Sequence, residues 1–355
     1  MIAKAAATSV ARSGYATVQK KLIHTVVRNA INKSPEIPHL KFPENTGSVV
    51  ADAISMRPSP YEQPELIGSL VAEALKASLP ESTLTDLRRI GSHNQPGIVL
   101  IDGFPTGDVP SGKAGESILE RAKRKDFISD SAMLGITKLM GQIPYSHPNE
   151  QDGRLIHNIA PVAGKEATKS SKGRDPFYLH TENPFEDHPP HFLMLVGMEG
   201  DKSAKTSFLP VENVLDRLKP EVIEAMKEQE FTIKSGAGVD GTVSGTYPLL
   251  DASKMDRDFL RLYQDQERLE GNTDKAKWAL REIKDVFSDI EHSGEIGGVG
   301  LQPGQALIFA NASGPKITDS VEENVRNSVM HGKIGYTENP FRWIQRQFIV
   351  KPNES

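Results

Sequence analysis

The chain has 355 residues, of which 37% are hydrophobic and 25% charged, and a formal net charge of -5. This composition indicates a soluble globular protein and gives no support for a nucleic-acid partner. The sequence contains no apolar run of the roughly 20 residues that a membrane-spanning helix needs. There is no cysteine, which excludes disulfides, thiolate metal sites and cysteine nucleophiles. Any metal must therefore be bound by His, Asp or Glu, a donor set that favours iron or manganese over structural zinc.

The N-terminal segment is basic. Residues 1–33 contain lysine and arginine but no acidic residue, together with apolar side chains such as Leu22, Ile23 and Val26. The apolar side chains favour a basic, partly amphipathic helix of a bacterial cytoplasmic enzyme, and an organelle transit peptide is the alternative. Residues 35–60 are proline-rich and predict an extended lead-in. We therefore expect residues 1–60 to form an N-terminal segment and 61–355 a single domain.

The rest of the chain alternates short apolar runs with amphipathic stretches. In chain order these predict strands at 97–102, 192–198, 206–209, 231–234, 306–310 and 346–350, and helices at 64–78, 130–140 and 210–228. Residues 257–288 are charged and helix-prone, with an interruption near Gly271. Short strands surrounded by helices, without regular strand–helix–strand alternation, predict a mainly β fold with helical additions.

His180 and Glu182 form the first candidate metal-binding pair. They follow the strand-like residues 177–179 and precede Asn183-Pro184, which should end the strand. Side chains two residues apart on a strand point to the same side, so both could bind one ion. The alternative is a polar edge strand at the surface. Three histidines in this region compete with the pair as ligands: His157, His188 and His191.

A late histidine and two arginines make the metal interpretation stronger. His331 is followed by Gly332, which permits close backbone approach. If the chain after Phe341 is extended, Arg342 and Arg346 lie on one face, and each could bind a carboxylate through the planar guanidinium. The alternative for each arginine is a surface ion pair, worth about 0–1 kcal/mol.

Four segments together resemble one enzyme family. They are 151–161 (QDGRLIHNIAP), 177–183 (FYLHTEN), 331–333 (HGK) and 342–346 (RWIQR). In order and spacing they resemble the clavaminate synthase-like group of iron(II)/2-oxoglutarate oxygenases, and the likeness extends over about residues 97–350. The resemblance implies a double-stranded β-helix (jelly-roll, cupin-like) core with N-terminal and inserted helices.

The resemblance also implies roles for individual residues. It implies that Fe(2+) is bound by His180, Glu182 and His331. It places 2-oxoglutarate against Arg342 and Thr206, and substrate against Arg346, Gln151 and Asp265. The implied reaction consumes 2-oxoglutarate and O2, releases succinate and CO2, and hydroxylates an unactivated C–H bond of a free amino acid, with a lysine- or arginine-type side chain favoured if Asp265 lines the pocket. The alternative for Asp265 is a surface charge in a charged run.

Two other functions remain open from the sequence. The same cofactor chemistry could desaturate or cyclise a carrier-bound or peptide substrate, and a non-redox metal-binding cupin-like protein would need neither arginine. The chain departs from the family at residues 312–324, which resemble an insertion, and at Gln305, where an acidic residue is common. No membrane or nucleic-acid partner is expected.

Overall fold

The computed structural model describes residues 36–93, 95–148, 150–164, 167, 173–236, 243–252 and 256–352. The predicted basic segment at 1–33 lies outside the described residues. The helices are α1 (Thr46–Ile54), α2 (Pro64–Ser78), α3 (Glu81–His93), α4 (Ile118–Ala122), α5 (Ile128–Leu139), α6 (Val211–Leu215), α7 (Pro220–Met226), α8 (Asp274–Ser293) and α9 (Val321–Val325). Across these ranges no helix combines the length and the apolar character that crossing a membrane requires.

The strands run the length of the described chain. They are β1 (His39–Lys41), β2 (Ile98–Asp102), β3 (Ile143–Tyr145), β4 (Ile156–Ile159), β5 (Phe177–His180), β6 (Phe192–Glu199), β7 (Lys205–Pro210), β8 (Phe231–Lys234), β9 (Ser244–Tyr247), β10 (Leu250–Asp251), β11 (Arg257–Leu260), β12 (Leu269–Gly271), β13 (Gly297–Val299), β14 (Gln305–Ala310), β15 (Ser313–Pro315), β16 (Val329–Ile334) and β17 (Trp343–Val350).

Two sheets form the centre of the molecule. The larger sheet has the order β1-β2-β14-β6-β17-β3, with β4 also paired to β17, and the smaller sheet has the order β13-β7-β16-β5. One apolar cluster joins them, with Leu195 and Phe309 from the larger sheet and Phe208 and Val329 from the smaller. The two sheets therefore pack face to face.

The other face of the larger sheet carries a layer of helices. Along β6, Leu195 belongs to the cluster between the sheets, while Met194 and Val196 belong to a second cluster that includes side chains of α2 and α5. This alternation is what a strand covered on both faces requires. The helices approach closely at Gly135, where an added Cβ would lie 2.4 Å from Val71 Cγ1. The predicted sheet-rich fold with helical additions is confirmed.

Part of the predicted lead-in has regular structure. Strand β1 pairs in parallel with β2, and α1 packs against α2 and α5. The proline-rich composition of 35–60 concealed these elements, although α1 carries apolar residues and its Val50 is fully buried in the core cluster.

Two predicted helices differ from the structure. The helix predicted at 210–228 is two short helices, α6 and α7, because Pro220 lacks an N–H and begins a new helix. The predicted helical run at 257–288 is wrong in its first half, which forms β11 and β12 before α8 begins at Asp274. Its charges mislead because they are buried: Arg261 is 1% exposed and donates from Nε to Asp251 Oδ2 at 2.7 Å.

The segment predicted as an insertion is ordered against β11. It contains β15, which pairs with β11, and α9. Asn324 in α9 donates from Nδ2 to Asp258 Oδ2 at 2.8 Å. This segment therefore supports the strand that the sequence pattern did not predict.

Candidate metal and substrate site

Two histidines face each other across neighbouring strands of the smaller sheet. His180 ends β5, and the antiparallel register with β16 places it opposite His331. Their ring centroids are 4.2 Å apart. Gly332 makes this approach possible, because a Cβ there would lie 2.5 Å from the carbonyl oxygen of Phe177. Strand register thus brings together two residues that lie far apart in sequence.

Glu182 is fixed beside them through its backbone. Its N–H donates to Asn311 Oδ1 at 2.8 Å, and Asn311 Nδ2 donates to the Glu182 carbonyl oxygen at 3.1 Å. Between the two ligand candidates, Thr181 points away and donates from Oγ1 to the Leu260 carbonyl at 2.6 Å. Alternation along the chain therefore places His180 and Glu182 on one side.

The histidine–glutamate cluster (His180, Glu182 and His331) has the geometry of a metal site. One ligand atom from each residue lies within 4.8 Å of the others, and all three residues are buried. His180 Nδ1 bonds the Tyr178 carbonyl at 2.9 Å, which leaves Nε2 free for a metal. His331 Nδ1 has no hydrogen-bond partner among the described residues. Two imidazoles and a carboxylate are the donor set of non-haem ferrous sites, so the residues present fit such an ion.

Protonation in the cluster favours metal binding. Burial, with the neighbouring His331 charge, lowers the pKa of His180 to about 3, so the ring is neutral near pH 7. Burial alone would raise the pKa of Glu182, but the Arg346 guanidinium and the hydrogen bond with His331 hold it well below its usual range. Glu182 is therefore a carboxylate, and its Oε2 lies 3.2 Å from His331 Nε2.

The cluster opens into a cavity, called here the site cavity. Besides the cluster it is lined by Glu150, Gln151, Thr206, Tyr263, Arg268, Lys333, Arg342 and Arg346, with apolar residues including Ile159, Phe185 and Leu195. Thr206 and Lys333 are register partners on β7 and β16. Burial lowers the pKa of Arg342 to about 10, and burial together with the Arg342 charge lowers that of Lys333 to about 8. This part of the cavity is strongly cationic.

Arg346 lies on β17 and connects the two sheets. Its Nη1 donates to Glu182 Oε1 at 3.0 Å, and its Nη2 donates to Glu150 and to His157 Nδ1, the latter at 2.7 Å. Burial lowers the pKa of His157 to about 3, helped by the Arg346 charge, so His157 is a neutral acceptor. The Arg346 guanidinium also stacks over the Phe348 ring, 4.3 Å from the centroid.

The structure places the other predicted residues as follows. Gln151 lines the site cavity, and its amide bonds the backbone of Asn158. Asp265 is half-buried in the loop between β11 and β12 and does not line the cavity. His188 is exposed, and His191 Nδ1 accepts from the Lys351 N–H, so neither joins the cluster.

Three polar lining residues lie outside the four segments of the resemblance and were not predicted as site residues: Glu150, Tyr263 and Arg268. Tyr263 stacks on His180, with centroids 6.3 Å apart and planes 14° apart. Glu150 sits directly before Gln151, which was the only local signal for it. Tyr263 and Arg268 lie in the run predicted as a helix, so the wrong secondary structure hid their inward orientation.

Comparison with known proteins identifies one curated relative and several solved structures with a similar fold. No family model matches the chain. L-asparagine oxygenase of Streptomyces coelicolor is 24% identical over 266 residues, which is 72% of this chain and 71% of that protein. The solved structure of asparagine oxygenase with Fe(II), 2S,3S-3-hydroxyasparagine and succinate has a TM-score of 0.65 at 22% identity, covering 88% of this chain and 93% of that one.

A second group of solved structures is equally similar. Non-heme iron oxygenase OrfP with Fe and alpha-ketoglutaric acid has a TM-score of 0.64 at 20% identity, covering 89% of this chain and 95% of that one. OrfP with Fe, succinate and (3R,4R)-dihydroxy-L-Arg has a TM-score of 0.66 at 20% identity, covering 88% and 94%. The chain therefore shares its fold with asparagine oxygenase and OrfP, two oxygenases whose solved complexes contain iron.

Proposed function

We propose that the protein is an iron(II)- and 2-oxoglutarate-dependent dioxygenase that hydroxylates a free amino acid and releases succinate and CO2. The observation that carries the proposal is a single cavity in which the buried histidine–glutamate cluster faces Arg342 and Arg346. Burying an arginine removes its charge from water, which is unfavourable. A protein that only binds a metal would not need two buried arginines beside the metal ligands. The complexes of asparagine oxygenase and OrfP, with iron, succinate and hydroxylated amino acids, support the same reaction.

His180, Glu182 and His331 would hold the ferrous ion. When bound, iron supplies the activation of O2 that couples oxidative decarboxylation of 2-oxoglutarate to hydroxylation of the substrate. Arg342 would pair with the distal carboxylate of 2-oxoglutarate and Thr206 would donate a hydroxyl hydrogen bond to it. Both side chains are buried in the site cavity, where a charge-assisted bond is strong because water is excluded.

The substrate frame would consist of Arg346, Glu150 and Gln151. Arg346 suits the α-carboxylate, and Glu150 suits the α-ammonium group, with Gln151 beside it. Arg346 and Glu150 already form an ion pair in the structure, so the two charges of a zwitterion would each meet an opposite charge. The apolar lining, including Ile159, Phe185 and Leu195, excludes water from the reacting carbon.

The proposal extends to the architecture. The two facing sheets would form a double-stranded β-helix, as their packing around one apolar cluster supports. The residues from β1 onward would form one oxygenase domain, since β1 pairs with β2 inside the larger sheet.

The test measures cofactor binding and turnover separately. Under nitrogen, Fe(II) plus 2-oxoglutarate should give a weak visible charge-transfer band. In air, one or more members of a panel of free amino acids should give succinate together with a product one oxygen heavier. His180→Ala should lose both signals, whereas His188→Ala, which changes an exposed histidine outside the cluster, should keep both. Turnover equal to that of His180→Ala for every amino acid, with no band, would overturn the proposal.

A further inference from the structure

Arg268 lines the site cavity and has no role in the function proposed above. It directly precedes β12, and its carbonyl oxygen accepts from the Lys234 N–H of β8 at 2.9 Å, so its backbone is fixed. Its guanidinium stacks over the Tyr263 ring, 5.3 Å from the centroid. It also lies against Gly236, where an added Cβ would be 2.5 Å from Arg268 Nη1. Tyr263 in turn stacks on His180, so only one ring separates Arg268 from the histidine–glutamate cluster.

The charge of Arg268 lacks a carboxylate partner in the described part of the chain. Within the ranges that the structure describes, no acidic side chain forms an ion pair with it, although Arg346 in the same cavity has two. The two carboxylates among the described lining residues, Glu150 and Glu182, are both engaged by Arg346. A half-buried guanidinium facing a cavity without a counter-charge is a site for an acceptor group of a ligand.

We propose that Arg268 selects the substrate by binding a carboxylate or carboxamide at the end of its side chain. The substrate class is then acidic or amide amino acids, such as L-Asp, L-Glu, L-Asn or L-Gln, and not L-Lys or L-Arg. This inference rests on the proposed function, in which Arg346 and Glu150 bind the backbone charges of the same molecule.

A cationic side chain does not fit the described cavity as well. It would approach Arg268 with the same charge, and no unengaged carboxylate on the lining would offset the repulsion. Asp265 lies on the same loop, but it is not part of the lining. The geometry therefore points away from the lysine- or arginine-type preference that the resemblance suggested.

The experiment compares four proteins, each loaded with Fe(II) and 2-oxoglutarate. They are the wild type, Arg268→Gln, Arg268→Glu and Arg281→Ala, the last a control for loss of an exposed arginine on α8. For each, kcat/KM is measured by succinate release and product mass with Asp, Glu, Asn, Gln, Lys and Arg. The anaerobic charge-transfer band is recorded in parallel, as a check that the cofactor site is intact.

We expect the wild type to prefer an acidic or amide amino acid at least tenfold over Lys and Arg. Arg268→Gln should lower kcat/KM for that substrate by roughly 10- to 100-fold, the range of one lost charge-assisted hydrogen bond, mainly through KM and with the band unchanged. Arg268→Glu should shift the preference toward Lys or Arg, and Arg281→Ala should behave as wild type.

The opposite outcomes are distinguishable. A wild-type preference for Lys or Arg, an unchanged preference in Arg268→Gln, or a normal band with no turnover of any of the six amino acids would overturn this inference while leaving the cofactor chemistry in place. Absence of both the band and succinate formation in the wild type would overturn the proposed function, and this inference with it.

Discussion

At the scale of single residues, Arg346 is the most constrained side chain of the site. It is buried, and its charge is balanced by Glu182 on one side and Glu150 on the other. A buried ion pair that loses one partner leaves a charge without solvation, which costs about 3–5 kcal/mol. Glu182 has a second task as a metal-ligand candidate, so Glu150 is the partner whose removal isolates the electrostatic role.

Glu150→Gln should therefore destabilise the metal-free protein by about 3 kcal/mol. The amide keeps the size of the side chain and can still accept a hydrogen bond from Arg346, so the loss reports the charge. Urea unfolding at pH 7 measures the free energy of unfolding. The matched control is Glu224→Gln, which removes an exposed carboxylate paired with Lys227 and should cost well under 1 kcal/mol. Equal effects of the two substitutions would contradict this account of Arg346.

A second residue pair gives a pH dependence. Buried His147 and half-buried Glu186 form an ion pair, and the hydrogen bond with Glu186 raises the pKa of His147 above its ordinary value of about 6.5. A group with a raised folded-state pKa contributes stability that is fully present below its unfolded pKa. That contribution is lost as the pH rises through the folded-state value.

The free-energy difference between wild type and His147→Gln should consequently shrink as the pH rises from about 6 through the raised folded-state pKa. Chemical denaturation at a series of pH values measures it. His188→Gln, at an exposed histidine, should show no such trend. A difference that grows with pH would mean that His147 is neutral in the folded protein.

The sequence predicted the metal-ligand candidates better than it predicted the other residues that line the site cavity. His180, Glu182 and His331 lie together as the resemblance implied: the alternation of side chains places His180 and Glu182 on one side, and the pairing of β5 with β16 brings His331 to them. Glu150 and Arg268 belong to no motif, and their approach to the cavity depends on loops whose paths the pattern does not encode. Nothing local to Arg268 distinguishes a lining arginine from a solvated one.

At the scale of secondary structure, the pairing of β5 with β16 brings the residues of the histidine–glutamate cluster together.

Helices and strands with strong apolar periodicity, such as α2 and β6, were predicted within a residue or two. Residues 257–260 were predicted as a solvated helix because buried charges, including Arg257 at 3% exposure, imitate a polar face. Charge patterning cannot separate these cases, since Arg261 pairs with Asp251 and donates to the carbonyl oxygen of Pro184, contacts that depend on the fold.

Gly332→Ala should break the cluster by separating the two strands. The new Cβ would meet the carbonyl oxygens of Phe177 and Tyr178 at 2.5 and 2.9 Å, which are backbone atoms and cannot rotate away. His180 would then move away from His331, and we expect at least a tenfold loss of Fe(II) affinity, measured by anaerobic titration. Gly47→Ala in α1, where no atom lies within 4 Å, is the control and should be neutral or stabilising. Unchanged metal affinity in Gly332→Ala would show that the strand spacing does not position the ligands.

At the scale of the whole molecule, the site is divided between the two sheets. His180 and His331 lie on strands of the smaller sheet, whereas Arg346 lies on β17 of the larger sheet and Arg342 directly precedes it. The Arg346–Glu182 ion pair already bridges the two. Bound 2-oxoglutarate, held by Arg342 and by the metal of the histidine–glutamate cluster, would add a further bridge, so its binding would be coupled to the packing of the sheets.

A ligand that binds only the folded state raises the free energy of unfolding by an amount set by the ratio of the free ligand concentration to Kd. The increase is about 2.7 kcal/mol at a concentration one hundred times Kd. Anaerobic Fe(II) should therefore raise the Tm by a few degrees, and 2-oxoglutarate should raise it further only when the metal is present. Arg342→Met should keep the metal-induced rise and lose the part due to 2-oxoglutarate, while His180→Ala should lose both. Scanning calorimetry under nitrogen measures all three proteins. If 2-oxoglutarate alone stabilised the wild type and Arg342→Met equally, it would be binding outside the site cavity. Its binding would then not be coupled to the packing of the two sheets.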